Sequence, residues 1–284
     1  MSAPIQMTAG DMRFTLWIPD PHIPQAGEYR DLASAGETYE PVMLACLTRL
    51  LRKSPGSRFM DIGAHLGYYA CYVSALFAGR EEVHAIESNP LYANAAREAA
   101  RLNGFSRMRV FQAALSDRVE QVQIDRVTVS RNGGQGSATM SVTLDSLCER
   151  EQLRPTIIKM DVHGAEGKII LGARSVLANV ECILLEMHML SYLREFSPGV
   201  TRTALLDALE ASGLTLYHVA AHRERLESES DFKELLAGRG FCYRRLERKG
   251  RRQMLFDGHD ILVLGLRHGD IETLLGQSIS PANG

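Results

Sequence analysis

Asp61-Ile62-Gly63-Ala64-His65-Leu66-Gly67 is the stretch that decides the reading of this chain. Upstream of it, Arg58–Ile62 (RFMDI) is a short apolar run of strand length. Downstream, Leu66 to Ala78 is apolar almost all round, as a buried helix is. Glycines between a strand and a helix let the backbone turn tightly and let a ligand approach the main chain. The next strand-like run, Val83–Glu87 (VHAIE), ends in an acid, Glu87, 20 residues beyond Gly67. A carboxylate at that place can accept the hydroxyls of a ribose. Turn and carboxylate together predict a nucleoside-containing cofactor.

The spacing narrows the choice of cofactor. A dinucleotide turn needs G-x-G-x-x-G so that pyrophosphate can sit on the helix N-terminus. Here it is G-x-x-x-G, with His65 where the second glycine would fall. Asp61, just before the turn, would repel a pyrophosphate but suits a cationic amino-acid ligand. S-adenosylmethionine carries an ammonium and a sulfonium and no phosphate, so it fits this turn better than a nicotinamide dinucleotide. A purely structural glycine turn is the plainer alternative, and Glu87 weighs against it.

Outward from the turn, strands alternate with helices, which predicts an α/β fold with a mostly parallel sheet covered on both faces. Pro90 opens a helix through Leu102, closed by Asn103-Gly104. Strands are predicted at Arg109–Ala113, Thr156–Asp161, Cys182–Met187 (CILLEM), Leu214–Val219 and Asp260–Leu264. Helices are predicted at Ala165–Leu177, broken at Gly172, and at Val200–Ala211. Val119–Ile124 and Ala138–Val142 alternate like antiparallel strands around a glycine-rich loop at Asn132–Gly136. Met12, Phe14, Leu16 and Ile18 alternate with polar neighbours, so a strand or hairpin precedes the core. The organisation read from this is an N-terminal extension with a hairpin and helix (1–50), a cofactor-binding core (51–221), a charged inserted lobe (222–258), and a last strand with a disordered tail (259–284).

Composition agrees with one large globular core. The chain has 284 residues, of which 45% are apolar and 23% charged, close to the average of globular domains. Its net charge of −2 excludes a globally basic nucleic-acid binder. Five scattered cysteines with no CxxC pair read as reduced thiols. The first residues show no secretory signal, and the longest mostly apolar run, Gly67 to Gly79, is too short to span a bilayer. A cytoplasmic location is the default expectation.

Several blocks in fixed order resemble the FkbM-type S-adenosylmethionine-dependent methyltransferases. They are Glu37-Thr38-Tyr39-Glu40-Pro41, FMDIGAHLGYYA (Phe59–Ala70), AIESNP (Ala85–Pro90), AALSD (Ala113–Asp117), SVTLDSL (Ser141–Leu147), IIKMDVHGAE (Ile157–Glu166) and ILLEMH (Ile183–His188). The resemblance covers Gly36 to Gly213. It implies a Rossmann-like class I methyltransferase sheet of seven strands, the last antiparallel and inserted near the edge. It also implies that Asp61, Gly63, Ala64, His65 and Gly67 line the methionine end of the cofactor and that Glu87 with Ser88 holds the ribose. Ser116, with Asp117, would lie near the adenine, and Asp161 near the reacting end. The family acts mostly on hydroxyls of sugars and natural products, so the acceptor expected is a small molecule or a glycan.

A second constellation sits at two strand ends. Asp161 and His163 are two apart, as are Glu186 and His188, and in an extended chain i and i+2 share a face. The ends of neighbouring strands form the ligand crevice of such a sheet. Three readings are open. The histidines take a proton from an acceptor hydroxyl, with Asp161 and Glu186 orienting them. Alternatively, Asp161, His163, Glu186 and His188 hold a divalent cation, which is possible but not expected. In the third, Asp161 binds cofactor, Glu166 caps a helix start, and the histidines are ordinary crevice residues. The family's usual D-V-E-G-A-E has an acid where this chain has His163, which keeps a non-catalytic cofactor-binding protein among the alternatives. A nicotinamide-dependent oxidoreductase is the other. Lys159 shares the face of Asp161 and is a minor candidate.

Arg244-Arg245-Leu246-Glu247-Arg248-Lys249-Gly250-Arg251-Arg252 holds six cations and one acid. It reads as an anion grip or, more simply, as a solvated edge. Without interleaved aromatics, and with no N-P-P-Y-type signature, nucleic acid is a minor expectation.

Overall fold

The computed structural model describes residues 2–124, 129–130, 137–219, 229–238, 240–247 and 260–278. The glycine-rich loop at Asn132–Gly136, the basic segment beyond Glu247 and the tail from residue 279 lie outside the described residues.

The chain opens with a hairpin, β1 (Ala3–Ala9) and β2 (Met12–Ile18), followed by α1 (Pro24–Ala35) and α2 (Pro41–Lys53). The core alternates as β3 (Phe59–Ile62), α3 (Tyr68–Leu76), β4 (Val83–Glu87), α4 (Pro90–Asn103) and β5 (Met108–Gln112). A small side sheet follows, β6 (Ala114–Leu115), β7 (Gln121–Ile124), β8 (Val129–Ser130) and β9 (Ser137–Val142), with β7 antiparallel to β9 as the alternation predicted. Next come α5 (Leu144–Glu151), β10 (Ile157–Met160), α6 (Glu166–Leu171), α7 (Arg174–Leu177) and β11 (Cys182–Met187). The chain then continues through α8 (Leu190–Phe196), α9 (Arg202–Ala211), β12 (Thr215–Val219), α10 (Glu229–Ala237), β13 (Tyr243–Arg245), β14 (Ile261–Leu266) and α11 (Ile271–Leu275).

The central sheet runs β13-β12-β14-β11-β10-β3-β4-β5. Strands β5, β4, β3, β10 and β11 are mutually parallel, and β14 is antiparallel to both β11 and β12, between which it lies. The expected inserted last strand is there. The count is eight rather than seven, because Tyr243–Arg245 pairs antiparallel with Tyr217–Val219 and extends the edge. Every residue of β3, β4, β10 and β11 is buried. That is why these strands read as near-continuous apolar runs: both faces are covered.

Each face has its own core. One gathers the hairpin, α2, α3, α4 and the C-terminal helix; the other gathers α5 to α9. Helix ends are set by local chemistry. Asn89 caps α4 by accepting from the N–H of Leu91, Pro90 opens the helix, and Gly104 closes it in the left-handed conformation. Thr143 caps α5 in the same way through the N–H of Ser146.

Beyond its apolar packing, the N-terminal hairpin is tied to the core by the side chain of Asn103. Asn103 accepts from the N–H of Thr15 (2.8 Å) and donates to the carbonyls of Thr15 and Ala99, each at 2.7 Å. Asn103→Ala removes all three bonds and orphans a half-buried N–H and carbonyl. The expected cost is about 2–3 kcal/mol, read as a lower urea midpoint with unchanged slope.

Within 222–258, α10 packs on α2 and β13 joins the sheet. All five cysteines are free thiols, four of them buried. No helix among the described residues is long and apolar enough to cross a membrane.

Candidate active site

The ends of β3, β4 and β10 open into a cavity of about 1010 Å³, counted with its mouth. The sequence explains the opening. Gly63 leaves β3 at φ 81°, and a Cβ there would stand 1.8 Å from the carbonyl oxygen of Asp161, so only glycine lets the turn pass the end of β10. The close approach at Gly63 is thus to the neighbouring strand, a role the motif alone did not disclose. Gly67, at φ 85°, begins α3 against Ala96 of α4.

Of the predicted cofactor residues, Gly63, Ala64, His65, Glu87, Ser88 and Asp161 line this one cavity. Glu87 is gripped by the N–H groups of His65 and Asn89, each at 2.8 Å, and by the Ser88 hydroxyl at 3.3 Å. Burial pushes its carboxyl pKa up, against those hydrogen bonds. His65 is held in the left-handed region (φ 49°), with its ring 4.2 Å from that of Tyr92. Burial lowers its pKa to about 4.

Three predicted residues are not in the wall. Gly67 lies at the start of α3, behind the turn. Asp61 is fully buried, with its Oδ1 3.6 Å from Lys159 Nζ. Ser116 is also buried, and its hydroxyl donates to Asp117 and Glu120 at 3.0 Å each, while its neighbour Leu115 lines the cavity.

At the reacting end Asp161 divides its carboxylate. Oδ2 faces Lys159 Nζ at 3.4 Å, while Oδ1 faces His163 Nδ1 at 3.5 Å and His188 Nε2 at 3.6 Å. The two imidazoles lie 4.6 Å apart. Burial alone would favour the neutral acid, but the Lys159 ammonium, with the charged His188 behind it, outweighs burial and holds Asp161 well below the usual carboxylate range. Lys159 is kept charged by Asp161 and Asp61 despite its burial, and its ammonium sits 4.6 Å from the centre of the Tyr69 ring.

The histidines separate. His163 lines the cavity with its side chain 35% exposed, and burial lowers its pKa, so it is neutral. His188 is buried behind it, with Nδ1 2.6 Å from Glu166 Oε1. Burial would neutralise His188, but that hydrogen bond and the charges of Glu166, Asp161 and Glu186 lift its pKa to about 9. Glu166 also accepts from the N–H of Gly164 (3.0 Å) in the loop before α6, so it ties that loop rather than capping the helix, whose N-terminus has no side-chain cap. Glu186 is fully buried. The four-residue metal set does not assemble. Asp161, His163 and His188 form one group of potential ligand atoms, whereas Glu186 groups with His188 and Asp260.

His188 makes stability depend on pH. Its folded pKa near 9 lies above the ordinary histidine value near 6.5, so the folded state binds the proton more tightly. The stabilisation is complete below pH 6.5 and is lost as pH rises through 9, on the order of 3 kcal/mol in all. Urea titrations at the two pH values should show that drop in the wild type and a much smaller one in Glu166→Gln.

Sequence reasoning missed the far wall: Gln25, Tyr29, Tyr39, Tyr68 and Tyr69. Five of the nine tyrosines fall between residues 29 and 72, and that enrichment was the available signal.

A mostly parallel sheet with its last strand reversed and slotted between β11 and β12, a glycine turn after the first core strand and an acid ending the second together define the class I methyltransferase architecture. Residues 61–213, over half the chain, match the methyltransferase FkbM domain. The chain belongs to that family of S-adenosylmethionine-dependent methyltransferases, which sets aside the oxidoreductase alternative. No curated protein matches it significantly in sequence.

Among solved structures it is similar to the precorrin-6y C5,15-methyltransferase of Geobacter metallireducens (14% identity, 81% of this chain and 90% of that one, TM-score 0.43). A further similarity is to the SAM-dependent methyltransferase of Agrobacterium tumefaciens (7% identity, 94% and 71%, TM-score 0.47). A third is to the O-methyltransferase of Bacillus cereus in complex with SAH (11% identity, 84% and 87%, TM-score 0.43).

Proposed function

We propose that this methyltransferase methylates a hydroxyl group of a sugar, glycan or natural product, with His163 as the base that takes the hydroxyl proton. The observation that carries the reading is the pairing of a neutral, cavity-lining His163 with an ionised Asp161 that a buried histidinium, His188, holds from behind.

The cavity chemistry fits S-adenosylmethionine. Glu87 keeps a lone pair on Oε2 beyond those its three donors use, open to a ribose hydroxyl. Ile86, Ala113 and Leu115 offer an apolar slot beside it. Asp161, at the other end, suits the cationic part. Bound there, the cofactor supplies an electrophilic methyl group on sulfur.

The chain's own groups supply the rest. Methyl transfer is an in-line displacement, so positioning provides much of the rate. His163 turns Nδ1–H toward Asp161, which leaves the Nε2 lone pair to accept the proton of an acceptor hydroxyl as the new C–O bond forms. Asp161 stays ionised and stabilises the imidazolium that results. His188, already protonated, cannot take that proton at neutral pH, and its work is to fix Asp161. Two predicted bases thus become one base and one orienting cation.

The test is product analysis with S-adenosylmethionine and paired acceptors, methyl glycosides against their amino-deoxy analogues. Methyl transfer to oxygen is expected. Transfer to nitrogen alone would overturn the assignment, and binding of S-adenosylhomocysteine with no turnover on any acceptor would favour a non-catalytic protein.

A further inference from the structure

One wall of the cavity comes from residues outside the family match. Gln25 and Tyr29 are four apart on α1 and therefore share a face, and Tyr39 stands in the turn before α2. All three line the cavity. Their rings are fixed by packing: Tyr29 stacks on Tyr68 at 5.9 Å, and Tyr39 meets both edge-on at 5.2 Å. The N–H of Tyr39 donates to Tyr68 Oη at 3.2 Å. The turn itself is anchored at Glu40, held at φ 45°, whose carboxylate accepts from Tyr69 Oη at 2.6 Å. Such strain persists only where the surroundings enforce it.

This wall is rigid, yet its tips are uncommitted. Among the described residues, the Gln25 amide and the Tyr29 and Tyr39 hydroxyls form no hydrogen bond. Burial, with Glu40 close by, raises both phenols well above 10, so they remain O–H groups that donate and accept. Tyr68 meets Tyr69 edge-on at 5.5 Å, and the Tyr69 ring lies 4.6 Å from the Lys159 ammonium that pairs with Asp161, so this wall adjoins the reacting end.

We propose that Gln25, Tyr29 and Tyr39 form the acceptor-reading subsite of the Asp161–His163 centre, and that it takes an uncharged ring bearing several hydroxyls. The inference rests on the hydroxyl-methylation reading above. Three neutral tips match vicinal hydroxyls, and tyrosine rings offer an apolar face to the C–H face of a saturated ring. The wall has no cation to grip a phosphate or carboxylate, because Lys159, the cavity's lysine, is engaged by Asp61 and Asp161. A site built to hydrogen-bond hydroxyls also rejects analogues that lack them.

The test is saturation-transfer NMR on the full-length protein loaded with S-adenosylhomocysteine. The probes are the methyl glycosides of glucose, mannose and rhamnose, with cyclohexylmethanol and glucose 6-phosphate as comparisons. At least one glycoside should bind. Tyr29→Phe and Tyr39→Phe, which keep the ring packing, should each weaken it about tenfold while leaving Tm and the affinity for S-adenosylhomocysteine unchanged. The proposal is overturned if no glycoside binds, if either comparison probe binds more tightly, or if the variants lose cofactor and glycoside together, which would make this a cofactor wall. Glycoside binding that depends on these hydroxyls but leads to no methyl transfer would leave the subsite standing and remove the catalytic reading instead.

Discussion

Gly63→Ala should leave little or no soluble protein. The added Cβ would lie 1.8 Å from the Asp161 carbonyl oxygen and 2.9 Å from its carbon, both backbone atoms that cannot swing aside. The residue would also be forced to φ 81°. Separating β3 from β10 at this point breaks the centre of the sheet, so a loss above about 4 kcal/mol is expected. The control is Gly104→Ala, which shares the positive φ (69°) but has nothing within 4 Å of the new Cβ. That variant should fold and lose only about 1 kcal/mol. Equal thermal stabilities for the two would show that conformation alone, and not the contact with Asp161, makes Gly63 necessary.

Much of the central sheet could be read because its strands are buried on both faces. Val83–Glu87 and Cys182–Met187 have the bounds their apolar runs suggested. The strand Tyr243–Arg245 could not be read that way. It is an edge strand with two exposed arginines, and its only pattern was charge, which pointed to a solvated segment. Helix α1 was equally quiet, since Gln25, Glu28, Arg30 and Asp31 dilute its apolar face.

The candidate site divided along the same line. Asp161, His163, Glu87 and the turn were legible because they end strands, where topology alone brings them together. Gln25, Tyr29 and Tyr39 reach the cavity through tertiary packing of an N-terminal helix, and no periodicity encodes that. Nor does any spacing tell which of two histidines is the neutral one. The difference comes from Glu166, 22 residues before His188, through a hydrogen bond that only the fold creates.

The second large effect is expected from His163→Asn. Asparagine tolerates the left-handed backbone that His163 adopts at φ 51°, so the loop should keep its shape, but the side chain cannot take up a proton. Turnover should fall by about 10²–10⁴ with the affinity for S-adenosylhomocysteine kept. In the wild type, the acid limb of kcat/KM should lie below pH 6.5, because burial lowers the pKa of this ring. Glu166→Gln should reduce turnover less, since it touches His163 only through His188 and Asp161. Full activity in His163→Asn would return this position to an ordinary crevice residue.

The place of β14 bears on how the chain is made. Strand β12 does not pair with β11; in the sheet the two are joined through Ile261–Leu266, which arrives some forty residues after β12 leaves the ribosome. During synthesis β11 therefore presents a bare, mostly apolar edge, which is the kind of surface that invites wrong pairing. The five parallel strands and their helices can assemble on the ribosome, but closure of the sheet has to wait for the final segment. Nascent chains stalled before residue 261 should consequently need chaperone protection, and release of the following stretch should be the step that ends it.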